Sequence, residues 1–428
     1  MRIIIAGAGE VGYHLAKILA DEDHDIVLID KKEDALTHAE SHLDVRIIRG
    51  NVISIKILED AGVKGADLLI AATSEEEVNI TTSIIGKSLG AIRTIARISN
   101  PEFQNEKGKI DLQSLGIDAM VFPEDLAAKE IYRLVKRSNL TDSFDYGGGR
   151  LTLTGIILEK NAPLTGKNVR DGALLIPGIK FTVVALLRNG QTIIPRGDTT
   201  FQEGDHMYFI SHPERLGDLR KLAGKEKIPI KNIMILGGSL IGRITAKLLE
   251  SKYQVKLIDH DKSKCFDLAN ELPNTLVLHG DGSDVEMLEE EGIEEMDAFI
   301  AVTGNSETNI ISSLVAKSRG VARTIALVEN IDYISLSQNI GIDTLINKKL
   351  ITVNNIFRYV REGNVAALTS LHGVESEVLE FIVQPNSKVT KAPIKSLEGF
   401  PRNAVIGGVI RDGKSFIADG ETHIKESD

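Results

Sequence analysis

Cysteine is almost absent from this chain of 428 residues, which contains only Cys265. A single cysteine cannot form a disulfide within the chain, and no group of cysteines and histidines has the spacing of a metal site. The N-terminus enters a predicted strand directly, without the pattern of a signal peptide. We therefore expect a protein of the reducing cytoplasm that holds no metal ion.

Long apolar runs and an excess of basic residues are also missing. Apolar runs such as Leu68 to Ala72 are far shorter than the roughly 20 residues that cross a bilayer. The 50 lysines and arginines stand against 61 aspartates and glutamates, a formal net charge of -11. No general basic field exists to hold phosphates, so we expect no nucleic-acid partner and at most a peripheral place at a membrane.

What the chain does contain is an internal duplication. The segment Arg2–Gly12 (RIIIAGAGEVG) is matched by Asn232–Gly242 (NIMILGGSLIG), and Asp67–Arg97 shares 15 of its 31 positions with Asp297–Leu327. Average residue usage would give roughly two such matches. Because predicted strands and helices alternate in both copies, the fold class is α/β, with two tandem Rossmann-like, doubly wound parallel sheets.

A small α+β domain should follow each Rossmann-like domain. The expected domains are residues 1–140 (first nucleotide-binding domain), 141–225 (first small domain), 230–365 (second nucleotide-binding domain) and 366–428 (second small domain). The chain stops at Asp428, opposite Asp205 and before any equivalent of the predicted strand His206–Ser211. We therefore expect the last domain to be truncated by one strand, and to be less ordered or to borrow an edge from a partner chain.

The first small domain has three predicted strands, Leu151–Glu159, Phe181–Arg188 and His206–Ser211. The preceding segment Thr141–Gly149 contains three consecutive glycines, which disfavour both helix and strand, and it is expected to be a hinge.

The first copy carries a complete G-x-G-x-x-G motif between a predicted strand and a helix, made of Gly7, Ala8, Gly9, Glu10, Val11 and Gly12. Gly7 permits a tight turn, Gly9 lets a pyrophosphate approach the backbone, and Gly12 lets helix and strand pack closely. The amides at the helix N-terminus then hold the anion. Asp30 ends the next predicted strand, where a carboxylate accepts hydrogen bonds from both ribose hydroxyls.

The ligand expected at this motif is NAD or NADH. Asp30 repels a 2′-phosphate and so disfavours NADP, although Lys31 and Lys32 stand beside it. ATP and ADP carry the same adenosine ribose and stay open as alternatives. Thr73, Ser74 and Arg97 follow or end neighbouring strands, where they could reach a phosphate or a ribose; ordinary loop or surface positions are the alternative reading.

The second copy of the motif is altered. Its residues are Gly237, Gly238, Ser239, Leu240, Ile241 and Gly242. Ser239 occupies the position where the backbone must approach the pyrophosphate. Asp259 corresponds to Asp30, the carboxylate expected to bind the ribose. Leu327 and Gly304 replace Arg97 and Ser74. We expect this site to be weaker, differently selective or empty.

The remaining polar clusters do not indicate chemistry. The acidic runs Glu75–Glu77 and Glu289–Glu291 are typical of solvated helix faces, with a divalent-cation site as the alternative. His14, His38 and His42 lack metal spacing and are expected at the surface. Neither half shows a convincing proton donor for hydride transfer, so we predict no catalytic residue.

With these motifs in this tandem order, the chain resembles the TrkA family of cytoplasmic potassium-uptake regulators, which are built from paired regulator-of-potassium-conductance (RCK) domains. The resemblance rests on GAGEVG with Asp30, on Gly50-Asn51 matched by Gly280-Asp281, on the Ala-Ala-Thr-Ser run that ends at Ser74 and is followed by Asn79, and on the IPRGDT string at Ile194–Thr199. It covers nearly the whole chain and fails only at the shortened C-terminus.

The resemblance implies a ligand-gated ring. In such proteins the nucleotide domains assemble into a ring beneath a membrane potassium-translocating subunit (TrkH- or TrkG-like), and adenine nucleotides change its shape. The residues implied for the first pocket are Gly7 to Val11, Asp30, Asn51, Thr73, Ser74 and Arg97; those implied for the second are Gly237 to Ile241 and Asp259. The alternatives are an NAD-dependent oxidoreductase on a duplicated Rossmann domain, or a regulator of another cation transporter.

Overall fold

The structure is a computed structural model that describes the chain except for residues 21–23, 106–110, 137–141, 176–177, 179, 225–228, 331–340, 361–364, 371–376 and 402. Its contacts divide the chain into two compact units. The first comprises Met1–Ala128 and Asn347–Val360, and the second comprises Lys129–Ile346 and Arg361–Asp428.

The first unit is built on a parallel sheet. Its strands are β1 (Arg2–Ala6), β2 (Asp25–Asp30), β3 (Arg46–Arg49), β4 (Leu68–Ala71), β5 (Arg93–Arg97) and β6 (Ala119–Val121). The accompanying helices are α1 (Glu10–Ala20), α2 (Glu33–His42), α3 (Ile55–Asp60), α4 (Glu76–Ser88), α5 (Glu102–Asn105) and the start of α6 (Pro123–Lys136), whose residues from Lys129 onward belong to the second unit. The strand order β3-β2-β1-β4-β5-β6 reverses between β1 and β4, which opens a crevice at the carboxyl ends of these strands.

An antiparallel sheet follows in the second unit, with strands β7 (Asp142–Tyr146), β8 (Leu151–Ile157), β9 (Phe181–Arg188), β10 (Gln191–Ile193) and β11 (His206–Ser211) and helices α7 (Val169–Gly172) and α8 (Leu216–Leu222). The strand order is β10-β9-β11-β8-β7. The three predicted strands of the first small domain are present, and β7 and β10 are additional.

The predicted hinge is wrong for most of its length. Residues Asp142–Tyr146 form β7, which pairs antiparallel with β8. Only Gly147, Gly148 and Gly149 make a turn, at φ values of 57°, 67° and 87° that glycine adopts without strain. Thr141 lies outside the described residues. The glycine signal therefore located a hairpin turn, and the strand before it was hidden by its polar sequence.

The second unit repeats the parallel sheet. Its strands are β12 (Asn232–Leu236), β13 (Gln254–Asp259), β14 (Thr275–His279), β15 (Ala298–Ala301), β16 (Arg323–Leu327) and β17 (Thr344–Ile346), in the order β14-β13-β12-β15-β16-β17. The helices are α9 (Leu240–Leu249), α10 (Lys262–Glu271), α11 (Val285–Glu290) and α12 (Ser306–Ser318). The predicted α/β class, with two tandem Rossmann-like sheets, is confirmed.

The helix after β17 is α13 (Lys348–Val360), which belongs to the first unit and packs against α1 and β6. The sheet strands that precede it in sequence belong to the second unit. The expected second nucleotide-binding domain, residues 230–365, includes α13, which the structure assigns to the first unit. The expected domain boundaries stay a prediction.

The last part of the chain forms two hairpins, β18 (Val365–Ser370) with β19 (Glu377–Phe381), and β20 (Gly408–Arg411) with β21 (Lys414–Ile417). Arg411 contacts Asp428 at 2.6 Å, as Arg188 contacts Asp205 at 2.7 Å in the first small domain. Among the described residues, no strand joins β19 to β20 as β11 joins β8 to β9. Nor does any described helix have the length and apolarity to span a bilayer.

Candidate functional site

The glycine loop between β1 and α1 depends on one positive φ and one close backbone approach. Gly7 has φ 112°, and a Cβ at Gly12 would lie 1.8 Å from the Gly7 carbonyl oxygen. A Cβ at Gly9 would meet nothing within 4 Å. Gly7 and Gly12 are thus required by the protein's own packing, whereas Gly9 leaves open space over the N-terminus of α1, where a helix binds an anion.

Asp30 connects this loop to the end of β2. Its Oδ2 accepts a hydrogen bond from Ala8 N at 2.7 Å, and its Oδ1 accepts one from Lys32 N at 2.9 Å. The side chain is partly exposed. Each carboxylate oxygen has a second lone pair, so the group is oriented by the backbone and can still accept bonds from two ribose hydroxyls.

An asparagine on α4 holds the ends of β4 and β5. Asn79, 1% exposed, accepts at Oδ1 from Thr73 N at 2.8 Å and donates from Nδ2 to the carbonyl oxygens of Thr73 and Arg97 at 3.1 and 2.9 Å. The Thr73 hydroxyl also lies 2.7 Å from Asn79 Oδ1. Sequence reasoning noted Asn79 only as a family marker. Its position shows that it organises the crevice, and that the Thr73 hydroxyl is already engaged.

The other residues predicted for the first pocket end neighbouring strands or follow them. Arg97, at the end of β5, is partly buried, whereas Ser74 and Asn51 are exposed. Asn51 accepts from Ile53 N at 3.2 Å. The carboxyl ends of β1 to β5 therefore bring the predicted residues to one edge of the sheet, and nucleotide binding by them stays a prediction.

The second Rossmann-like domain has the same frame. Gly237 has φ 104°, and a Cβ at Gly242 would lie 1.9 Å from the Gly237 carbonyl oxygen. Asp259 accepts from Gly238 N at 2.7 Å, and Asn309 bonds to the Thr303 backbone as Asn79 does to Thr73. The duplicated bonds build the crevice in both halves.

The groups that would face a ligand differ in the second domain. Ser239 Oγ lies 2.7 Å from the Val302 carbonyl oxygen and accepts from Gly242 N at 3.3 Å, so the side chain itself caps α9. The corresponding Gly9 has no side chain to do this. Leu327, 4% exposed, replaces the guanidinium of Arg97. In the second domain the Gly242 amide is thus engaged by Ser239, and the guanidinium is missing.

Asp259, the carboxylate expected to bind a ribose in the second domain, is also paired internally. Lys264 Nζ lies 2.9 Å from Oδ2 of Asp259, a residue 4% exposed. Burial raises the pKa of Asp259, but bonds from Asp261 N, the Lys264 ammonium and Gly238 N outweigh it and hold that pKa below its usual range. Asp281, the counterpart of Asn51, also has a lowered pKa because Ser283 donates to it. The second domain therefore has a charged carboxylate at the position that Asn51 holds in the first.

The groove beside the glycine loop differs as well. In the first domain it contains rings in tilted contact, with centroids 4.8 Å apart for Tyr13 and His38 and 4.6 Å apart for His38 and His42. In the second domain a cavity of about 470 Å³ lies between α9 and α10, lined partly by Arg243 and Glu271. His38 and His42 are exposed as expected, whereas His14 is partly buried. Within the described ranges, no three His, Cys, Asp or Glu side chains are grouped as a metal site.

Sequence reasoning missed two lysines at the start of α13, one of which contacts the first glycine loop. Lys349, in the first turn of α13, donates to the carboxylate of Glu10, and Lys348 Nζ lies 3.3 Å from Glu124 Oε1. Burial, followed by the charge of Lys17, lowers the pKa of His14, and Lys349 lowers it further. In the sequence these lysines can be recognised only as basic residues at the start of a helix. The helix α6 starts with acidic residues instead.

The chain matches known family models in three places. TrkA-N domain models match residues 3–123 and 233–348, and a TrkA-C domain model matches residues 153–224. The Trk system potassium uptake protein TrkA homolog 1 of Methanosarcina mazei is 35% identical over 437 residues, covering 100% of this chain and 96% of that protein. TrkA of Haemophilus influenzae is 34% identical, with coverages of 100% and 94%.

Solved structures share the fold. The GsuK RCK domain superposes with a TM-score of 0.62 at 18% identity, covering 100% of this chain and 90% of that chain. The GsuK channel bound to NAD gives 0.62 at 18% identity and covers 75% of its own chain, and GsuK bound to ADP gives 0.53 at 16% over 84% of this chain. The resemblance expected from the sequence motifs is confirmed.

Proposed function

We propose that this chain, which belongs to the TrkA family, is the nucleotide-sensing regulatory subunit of a Trk-type potassium uptake system. Full-length identity to Trk system proteins supports the potassium system. The single observation that supports nucleotide sensing is the open space above Gly9, between the amides of α1 and the ribose acid Asp30.

The preferred ligand is NAD or NADH, with ATP and ADP as further candidates. All four present an adenosine ribose to Asp30 and a pyrophosphate to the start of α1. The related GsuK structures were solved with NAD and with ADP, which supports the same ligand classes here. Binding involves the residues proposed above for the first pocket, and the second pocket is weaker or differently selective.

The proposed partner is a membrane potassium-translocating subunit of the TrkH or TrkG kind, contacted by a ring of these chains on the cytoplasmic face of the cell membrane. The ring acts by ligand-controlled gating and not by turnover. A nucleotide shifts the channel's open population only by its difference in affinity for two ring conformations. Moving a population from 1:99 to 99:1 requires a difference of about 10⁴-fold.

A flux measurement tests this proposal. The full chain is added to vesicles that contain the cognate membrane subunit, and potassium flux is followed with and without NADH, NAD, ATP or ADP. We expect flux to depend on at least one nucleotide, and the dependence to disappear with Asp30→Ala. Asp259→Ala is the matched control in the other half, and it should leave most of the response. Flux indifferent to every nucleotide contradicts the proposal.

The oxidoreductase alternative has its own test. Purified chain is incubated with NADH and a panel of carbonyl and quinone acceptors, and absorbance of the reduced nicotinamide is followed. The regulatory function predicts no sustained oxidation, because binding alone shifts the ring. Sustained turnover that Asp30→Ala removes supports the enzyme instead.

A further inference from the structure

Helix α13 begins with charges of the unexpected sign. Its first two residues are Lys348 and Lys349, and its first turn contains no acidic residue. The N-terminus of a helix has a partial positive charge, so cations are disfavoured there. The helix that follows the first sheet, α6, has Glu124 and Asp125 in its first turn, as the dipole favours. Because lysines are unfavourable at a helix N-terminus, we expect these two side chains to be needed for contacts outside α13.

The requirement lies within the first unit, where each lysine meets a carboxylate. The Lys349 ammonium donates to Glu10, and their side chains are 19% and 56% exposed. The Lys348 ammonium lies 3.3 Å from Glu124, with 20% and 12% exposure. Packing of α13 against α1 places both lysines at this end of the unit.

Glu10 connects Lys349 to the nucleotide site. Glu10 is the first residue of α1 and the fourth of the G-x-G-x-x-G motif, so its backbone stands beside the space that Gly9 leaves open. An acidic side chain at this position is stabilised by the helix dipole but repels a bound phosphate. The Lys349 ammonium lies within hydrogen-bond reach of that side chain, and therefore close to where phosphates extend from the loop.

We propose that Lys349 is a ligand of the terminal phosphate of a nucleoside di- or triphosphate bound at the first glycine loop, exchanging its bond to Glu10 for one to the phosphate. This inference rests on the proposed function. A terminal phosphate has three unesterified oxygens that share up to two negative charges, and such oxygens form strong charge-assisted bonds. In NAD both phosphates are esterified, so Lys349 favours ATP and ADP over NAD(H) and couples their binding to the position of α13.

The test compares ATP, ADP and NADH affinities by isothermal titration on the full chain. For Lys349→Met we expect about a 10-fold loss for ATP, a smaller loss for ADP, and less than about a twofold change for NADH. Lys348→Met, at the neighbouring lysine that pairs with Glu124, is the matched control and should change none by more than about twofold. An equal loss for all three nucleotides, or no loss for ATP, overturns the inference.

Glu10→Gln distinguishes a phosphate ligand from a counter-charge. If Lys349 contacts the phosphate, Glu10→Gln strengthens ATP binding because the repelling charge is gone, and adding Lys349→Met still weakens it about 10-fold. Lys349→Met without effect in the Glu10→Gln background overturns the inference, since the lysine then serves only to neutralise Glu10. If the unmodified chain binds no nucleotide, the proposed function itself fails. Unchanged thermal midpoints show that the variants are folded.

Discussion

The two Rossmann-like domains share a backbone frame and differ in the charges that face their crevices. Both have the close approach between the first and last glycines of the loop, the carboxylate that accepts from the loop, and the asparagine that joins two strand ends. The first crevice has Gly9 and Arg97. The second has Ser239, Leu327 and the Lys264 ammonium paired with Asp259.

This difference separates the requirements of folding from those of binding. Bonds such as those of Asn79 and Asn309 occur in both halves because each sheet must hold the ends of its strands together. The residues that vary include Gly9 and Arg97, which would face a ligand in the first half and are replaced by Ser239 and Leu327 in the second. A change in a shared structural residue, such as the last glycine of the loop or the asparagine, should therefore alter stability in either half, whereas a change at Gly9 or Arg97 should alter ligand binding in the first half alone.

Glycine substitutions give the largest expected effects. Gly12→Ala places a methyl group 1.8 Å from a backbone oxygen, and we expect the free energy of unfolding to fall by about 2–3 kcal/mol. Gly242→Ala, with a 1.9 Å approach, should cost a similar amount. Gly9→Ala meets no neighbour, so it should leave the thermal midpoint unchanged while weakening nucleotide binding. Denaturation and titration of the three variants check this, and a destabilised Gly9→Ala contradicts it.

Arg97→Leu makes the first crevice resemble the second. Loss of one charge-assisted bond to a phosphate predicts about a 10-fold lower nucleotide affinity than that of the unmodified chain. This loss should be larger in low salt than in high salt, because salt screens the interaction. Leu327→Met is the matched control and should leave affinity unchanged. Equal affinities before and after Arg97→Leu, by titration at two salt concentrations, would remove Arg97 from the site.

The smallest expected effect concerns pH and His14. Its pKa is lowered by burial and by nearby lysines, so between that pKa and about 6.5 the unfolded chain binds more protons than the folded one. The contribution of His14 to stability is therefore fully present above about pH 6.5 and is lost as pH falls through the folded pKa.

Thermal melts between about pH 5 and 7 measure this contribution, which we expect to be below about 2 °C. His14→Gln should flatten the pH dependence, and Lys349→Met should reduce it because one lowering charge is removed. A pH dependence that is identical in all three proteins would show that His14 does not titrate differently on folding.

Local patterns made much of this molecule predictable. Strands β1, β2 and β4 are buried apolar runs, and the G-x-G-x-x-G motif with Asp30 has a fixed spacing, so neither required knowledge of distant contacts. The strand β7 was missed because its sequence, DSFDY, lacks a continuous apolar run. Its strand character comes from pairing with β8, which a local pattern does not contain.

Contacts between distant residues were not predictable. Lys349 and Glu10 are 339 positions apart, and only the packing of α13 in the first unit brings them together. Lys264 and Asp259 are only five positions apart, but their pairing can be recognised in the sequence only once α10 is placed. The ligand-facing differences at Ser239 and Leu327 were predictable because duplication supplies an internal reference for each position.

The central claim is that the two crevices differ in their ability to bind an adenine nucleotide, and calorimetric stoichiometry on the full chain tests it most directly. Titration with NADH or ATP should give one tight site per chain, which Asp30→Ala abolishes and Asp259→Ala preserves. Two sites of equal affinity that survive Asp30→Ala would contradict the account.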